Sequence, residues 1–244
     1  MSQNDATTLT VPVTGGDLPA DLHLPPSGQG PGIVLLQEIF GVTEYISGRA
    51  RDLASQGYVV LVPHIYWRLG DQVVSEAQDG LPEAMGLLQR LDWDAAVGDA
   101  AAAVAALRER EEVQGPVGVL GFCFGGGLAF AVAAATADEG AQDGARPDAL
   151  VSYYGSALPD LLGQASRVTL PSLHHFGLAD DYIPQAKVRE IEDAVTGGGR
   201  DTTFLTYAGA GHAFDNPSPL FHHAEASKQA WVATEQWLAE HLPV

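Results

Sequence analysis

The chain's 244 residues are enough for one full-sized domain that buries its core without disulfide or metal staples. Charged residues make up 18%, and 12 Lys+Arg against 31 Asp+Glu leave a net charge of −19. Such a surface repels phosphate backbones and anionic lipid, which argues against nucleic-acid and membrane partners.

Short apolar runs alternate with stretches of helical period, and Gly or Pro marks most junctions. Residues 8–13 and 20–24 read as two strands around a Gly15-Gly16 turn. The continuous apolar run 32–36 predicts a strand covered on both faces. Residues 58–63 repeat that look after a polar segment, 43–56, long enough for a crossover helix. From Trp93 the positions Ala96, Val97, Ala100, Ala101, Val104 and Leu107 fall at helical spacing. Gly115-Pro116 then stops that helix, and 117–121 starts another buried strand. The small, apolar stretch 126–137 predicts a helix packed closely on a sheet. Further strands are expected at 149–154, 170–176 and 201–207, with a helix over 183–195 carrying Pro184 near its first turn. A last helix presents Trp231, Thr234, Leu238 and Leu242 on one face. The stretch 138–147 reads as a surface loop, because strands of one kind continue past it.

This β-α-β alternation predicts one α/β domain over residues 1–244. Its central sheet is mostly parallel with helices on both faces, entered through an antiparallel N-terminal hairpin. No apolar run approaches the roughly 18–20 residues of a membrane span, and residues 1–10 lack a signal-peptide pattern. A lone cysteine, Cys123, excludes a disulfide framework and a multi-cysteine zinc site, and makes a reducing cytoplasm the expected compartment.

The strongest local signal is Gly121-Phe122-Cys123-Phe124-Gly125-Gly126-Gly127, where a buried strand ends and a small-residue helix begins. It has the form of a nucleophile elbow with cysteine in the serine position. A nucleophile on so tight a turn leaves no room for Cβ atoms two residues to either side, and the helix N-terminus beyond favours negative charge on the sulfur. The bland alternative is a buried structural cysteine at a glycine-rich contact.

A thiol needs a base. Gly211-His212-Ala213-Phe214 follows the last strand, which places His212 where α/β sheets present catalysts. The other notable histidines, His174-His175 and His222-His223, are adjacent pairs that cannot share a face and lack metal spacing. A base needs an orienting carboxylate, and Asp180 stands on the loop after a strand, with helix capping left to Asp181. Nucleophile, acid, histidine is the chain order of α/β-hydrolases, and no serine occupies a Gly-x-Ser-x-Gly frame. In Gln37-Glu38-Ile39-Phe40-Gly41, Glu38 ends an early buried strand, where it is either partnered or simply reaches solvent. This loop lies where the fold supplies an oxyanion N–H, so the backbone amides of Ile39 and Phe124 are the expected oxyanion hole. The cluster Gly125-Gly126-Gly127 lacks the Lys-Ser/Thr of a phosphate loop, and nothing suggests a metal, nucleotide or flavin. No cofactor is expected.

Together these segments resemble the dienelactone hydrolase family, α/β-hydrolases with a Cys-His-Asp triad. Gln37-Glu38-Ile39-Phe40-Gly41-Val42 matches its Q-E-I-F-G-V, and Gly121-Phe122-Cys123-Phe124-Gly125-Gly126 its G-[YF]-C-x-G-G. Gly177-Leu178-Ala179-Asp180 with Ile183-Pro184 resembles G-x-x-D-x-x-[VI]-P, Gly211-His212-Ala213-Phe214 resembles G-H-x-F, and Pro63-His64-Ile65-Tyr66-Trp67-Arg68 resembles P-D-L-Y-x-R. The resemblance implies a monomeric, cofactor-independent carboxylic-ester hydrolase of the carboxymethylenebutenolidase type, acting on a small-molecule ester or lactone. Cys123 would attack the carbonyl and form an acyl-enzyme, with His212 as base and Asp180 orienting it. Glu38 would hold the resting thiol protonated until substrate arrives. The family's dienelactone-cleaving members hold the substrate carboxylate with two arginines and use a tyrosine; at those positions this chain has Leu81, Asn216 and Met85. Loss of both arginines points to a neutral or larger, more apolar ester as the alternative substrate, while Arg68 serves the strand-end turn. A non-catalytic thiol redox sensor or binder is the reading from another class.

Overall fold

Eight strands make one mixed sheet in a computed structural model that describes residues 6–70, 73–138, 140 and 142–244. They are β1 (Thr7–Val13), β2 (Gly16–His23), β3 (Gly30–Leu36), β4 (Val59–Pro63), β5 (Val113–Phe122), β6 (Ala149–Tyr153), β7 (Ser172–Gly177) and β8 (Thr202–Tyr207), in the order β1-β2-β4-β3-β5-β6-β7-β8. β1 and β2 form the expected antiparallel hairpin, β2 joins β4 antiparallel, and every later pairing is parallel. The helices are α1 (Glu44–Ser55), α2 (Leu81–Arg90), α3 (Trp93–Arg108), α4 (Phe124–Ala135), α5 (Leu158–Leu161), α6 (Gln185–Thr196) and α7 (Ala224–His241).

The strand order dictates where the helices lie. From β3 the chain moves outward to β4, but from β5 it moves the opposite way, through β6 and β7 to β8. Right-handed crossovers therefore put α1 on one face and α3, α4 and α6 on the other. α7 returns beside α1, where the Arg49 guanidinium stacks 4.0 Å over the Trp231 ring and Gln56 donates to Glu235 at 2.7 Å. The reversal lies between β3 and β5, and in open α/β sheets the crevice at the carboxyl ends of such a pair is the ligand site. Glu38 follows β3 and Cys123 follows β5, so both stand at that point. β3 and β4 are buried along their whole length, as continuous apolar runs covered on both faces require.

Several boundaries differ from the sequence expectation. β5 already begins at Val113, so Gly115 and Pro116 lie within it, and the register against β3 shifts between Gly30 and Gly32. Irregular pairing of this kind tolerates a proline inside a strand. β2 starts at Gly16 rather than at residue 20, α4 starts directly after Cys123, and α6 starts at Gln185. α2 and the short α5 have no counterpart among the elements expected from the sequence. In the expected loop 138–147, residues 139 and 141 lie outside the described residues. Among the described residues, no helix is long and apolar enough to cross a membrane.

Candidate active site

Cys123 sits between β5 and α4 with φ 53° and ψ −114°, a conformation that costs a non-glycine residue energy and persists only where the surroundings impose it. Its neighbours impose it. A Cβ on Gly121 would lie 2.1 Å from the Gly125 carbonyl oxygen, and one on Gly125 would lie 2.4 Å from the Leu36 carbonyl oxygen. β3, β5 and the first turn of α4 thus meet backbone to backbone, and the sulfur is pushed toward the sheet's carboxyl end. The Cys123 amide donates to the Tyr153 carbonyl (3.0 Å), and its own carbonyl accepts from Ser156 N (3.0 Å), which fixes the turn on both sides.

The structure brings the three widely spaced residues together. His212 Nε2 lies 3.2 Å from Cys123 Sγ, and His212 Nδ1 lies 2.7 Å from Asp180 Oδ2. The other carboxylate oxygen, Oδ1, accepts from the backbone amides of Tyr182 (2.7 Å) and Ile183 (2.9 Å). Asp180 therefore does the turn capping expected of Asp181, which is exposed. Burial opposes charge on His212, but the sulfur charge of Cys123 and the Asp180 carboxylate outweigh it and raise the imidazole to about 10.

Glu38 is buried, so the strand-end reading in which it reaches solvent does not apply. Its Oε2 accepts from Asn216 Nδ2 at 2.7 Å, and its Oε1 lies 3.3 Å from Tyr154 Oη. Burial raises its carboxyl to about 8; the Asn216 hydrogen bond works the other way, and the nearby Glu76 carboxylate adds to the rise. The thiol's hydrogen-bond partner is His212, and Glu38 lines the same cavity.

The cavity over the sulfur has a volume of about 210 Å³. α2 lines it with Leu81, Met85 and Leu88, the β3 loop with Glu38, Ile39 and Phe40, and Tyr182 and Phe221 complete a largely apolar wall around Cys123 and His212. Leu81 and Met85 are thus where a substrate-pocket role needs them. Asn216 is not: it is fully buried behind Glu38, its amide shared between Glu38 and Glu76 Oε1 (2.9 Å), and it does not line the cavity. With a shorter side chain than arginine, it ends at the carboxylate next to it. Ile39 lines the cavity floor, and the Phe124 N–H, in the first position of α4, has no partner within its own helix. A larger open groove of about 710 Å³ between β1 and α3 contains none of these groups. Arg68 lies in it and is tied to Asp99 (2.8 Å) and to the Thr14 carbonyl (2.7 Å), in keeping with a structural duty.

A family model, that of the dienelactone hydrolase family, matches residues 18–242. The chain belongs to the dienelactone hydrolase family. It is 32% identical over 232 residues to a carboxymethylenebutenolidase of Pseudomonas sp. (strain P51), covering 94% of this chain and 93% of that one. It is 34% identical over 208 residues to one from Pseudomonas putida, covering 84% of each. Among solved structures, a protein of Klebsiella pneumoniae provisionally assigned as a dienelactone hydrolase superposes with a TM-score of 0.83 at 27% identity, over 96% of this chain and 98% of that one. Membership of a hydrolase family and the α/β-hydrolase fold follow from these likenesses.

Sequence reasoning does not reach four groups around Glu38 in this dienelactone hydrolase relative: Tyr45, Glu76, Tyr154 and Asp215. Tyr154 has φ 37°, the second strained non-glycine residue at the site, and Ala213, beside His212, is the third at φ 55°. No local pattern marks them, because they reach Glu38 only through the folded sheet. α2 does carry a signal: Leu81, Ala84, Met85, Leu88 and Leu91 recur at helical spacing.

Proposed function

We propose that this chain hydrolyses a small, uncharged carboxylic ester or lactone through a thioester formed on Cys123. The observation that carries the reading is the unbroken line Asp180–His212–Cys123, at 2.7 and 3.2 Å, opening on an apolar cavity. His212 Nε2, 3.2 Å from Sγ, takes the thiol proton as the sulfur attacks, and Asp180 behind the ring favours the charge the imidazole acquires. Sulfur attack on the carbonyl carbon places the new oxyanion toward the Ile39 and Phe124 amides. Collapse expels the alkoxide, which takes the His212 proton, and leaves the acyl group on sulfur. Having given up its proton, His212 is a neutral base able to take one from water. Water attack releases the acid, and the sulfur departs as a thiolate and regains its partner. Glu38, neutral at pH 7, spares that thiolate a second negative charge close by.

The relatives named as carboxymethylenebutenolidases support ester or lactone cleavage. The cavity walls favour a neutral substrate: among the described residues no lysine or arginine lines them, and a carboxylate moved there would lose its hydration without compensation. A volume of about 210 Å³ favours a compact molecule over a larger one. The test is a panel of p-nitrophenyl acetate and butyrate, neutral lactones and a carboxylate-bearing dienelactone. The neutral members are expected to give the higher kcat/KM, Cys123→Ala to abolish turnover, and Cys123→Ser to retain little. Turnover by Cys123→Ala rejects the nucleophile; a preference for the anionic lactone rejects the substrate class.

A further inference from the structure

Beyond the cavity, a file of buried hydroxyls runs from Glu38 to a fixed anion. Tyr154 Oη lies 3.3 Å from Glu38 Oε1 and 3.3 Å from Tyr45 Oη, and Tyr45 Oη donates to Asp215 Oδ2 at 2.6 Å. Asp215 is held by Arg49 Nη2 (2.6 Å), Arg49 Nε (2.9 Å) and Ser227 Oγ (2.7 Å). Tyr45, Arg49, Asp215 and Ser227 border a separate surface groove that shares no lining residue with the cavity over the sulfur.

The direction of each hydrogen bond in this file is determined from its far end. A phenol has one proton to give. The Tyr45 proton is taken by the Asp215 carboxylate, which has none to offer while Arg49 is paired with it. Tyr45 can then only accept from Tyr154, and Tyr154, having given its proton to Tyr45, accepts from a protonated Glu38; with Glu38 ionised the same contact is Tyr154 Oη donating to Oε1. At the other carboxyl oxygen, Oε2, Asn216 already donates, so a proton on Glu38 belongs on Oε1, facing Tyr154. Every member of the file is satisfied when Glu38 is the neutral acid. If Glu38 ionises, Tyr154 must turn its proton toward Oε1, and Tyr45 is left with an unfilled acceptor in a buried site.

We propose that Tyr45 and Tyr154 are positioning residues that transmit the fixed charge of Asp215 to Glu38 as hydrogen-bond direction, keeping the proton on Glu38 in the resting site and releasing that bias when Tyr154 turns. The inference deepens the hydrolase reading, since it concerns how the carboxyl beside Cys123 is kept neutral. The other charged or titratable groups facing Glu38 are Glu76 from the loop before α2, Cys123 from the β5–α4 turn and His212 from the loop after β8. None of them lies in the file, so a change confined to Tyr45 leaves them in place.

The test is an infrared titration of the protonated carboxyl band, assigned to Glu38 by its loss in Glu38→Gln. Tyr45→Phe keeps the ring against Phe122 and leaves the Asp215 charge intact, but frees the Tyr154 proton for Glu38. Its midpoint is expected to fall by about one pH unit, the size of one net hydrogen bond. Asp215→Asn, which removes the charge and lets its amide donate to Tyr45, is expected to lower the midpoint by at least as much. An unchanged midpoint in Tyr45→Phe overturns the proposal, even if Asp215→Asn shifts, because the charge then acts directly through space. An unchanged midpoint in Asp215→Asn also overturns it, and needs no folded Tyr45 variant. The band titrates without turnover, so failure of ester hydrolysis with a shifting midpoint rejects the hydrolase reading alone.

Discussion

Replacing Glu38 by glutamine isolates the energetic cost of holding a carboxyl in this position. Its folded-state value is raised from 4.5 to about 8, chiefly by burial. Between those two pH values the unfolded chain has released the proton while the folded protein still binds it. Folding stability therefore falls as pH rises through this window and levels off above it. At about 1.36 kcal/mol per pH unit, the full loss comes to ~5 kcal/mol. The Glu38→Gln side chain can keep the Asn216 contact but cannot ionise. The variant and the parent are expected to be close in stability near pH 4, with the variant gaining progressively to pH 8 and little thereafter. Urea unfolding at a series of pH values reads the difference directly, and Cys123→Ala can serve as a common background to suppress thiol chemistry. A stability difference that stays flat between pH 5 and 8 would refute the reasoning, since Glu38 would then titrate as an exposed carboxyl does.

Three further outcomes are expected. Gly125→Ala places a Cβ 2.4 Å from the Leu36 carbonyl oxygen and 2.5 Å from that of Gln37, so β3 and α4 must separate; a loss of roughly 2 kcal/mol or more by urea unfolding, with ester turnover lost as the oxyanion loop moves, is the expected reading. Arg49→Met leaves the buried Asp215 carboxylate without its charged partner, and chemical denaturation should show a loss of about 3–5 kcal/mol, whereas a loss under about 1 would mean the ion pair adds little. Leu81→Arg introduces a cation into the cavity wall and is expected to raise kcat/KM for a carboxylate-bearing lactone relative to p-nitrophenyl acetate; an unchanged ratio would mean that α2 does not contact the substrate.

The parts of this protein that are legible in the sequence are those whose physical requirement is local. Gly121, Cys123 and Gly125 are read together because a strained turn two residues either side of a side chain needs glycine, and the structure gives the same reason as backbone contacts of 2.1 and 2.4 Å. Strands β3 and β4 are buried on both faces and so are apolar at every position. α2 escapes notice although its period is present, because Gly86 lies inside it and no side chain caps its first turn. The environment of Glu38 has no such trace. Asn216 lies 178 residues away and Tyr154 116, and Arg49 reaches Asp215 across 166. Contacts at that separation are set by sheet order alone.

Two buried carboxyls stand near Cys123, Glu38 in the cavity and Asp180 behind His212, and different donors reach them. Asp180 collects two backbone amides of its own loop and the His212 ring from the loop after β8, a surrounding that orients the imidazole and favours charge on it. Glu38 receives one amide, and that amide is shared with Glu76, while its other oxygen faces a phenol already committed to Tyr45. Burial holds the proton on Glu38, whereas the Asp180 carboxylate behind the ring favours charge on His212. Moving donors from one carboxyl to the other would therefore alter both: a better-solvated Glu38 would release its proton more readily, and an Asp180 stripped of its amides would orient His212 less firmly. The strained backbones of Cys123, Tyr154 and Ala213 lie at the carboxyl ends of β5, β6 and β8, the same edge of the sheet that carries both carboxyls.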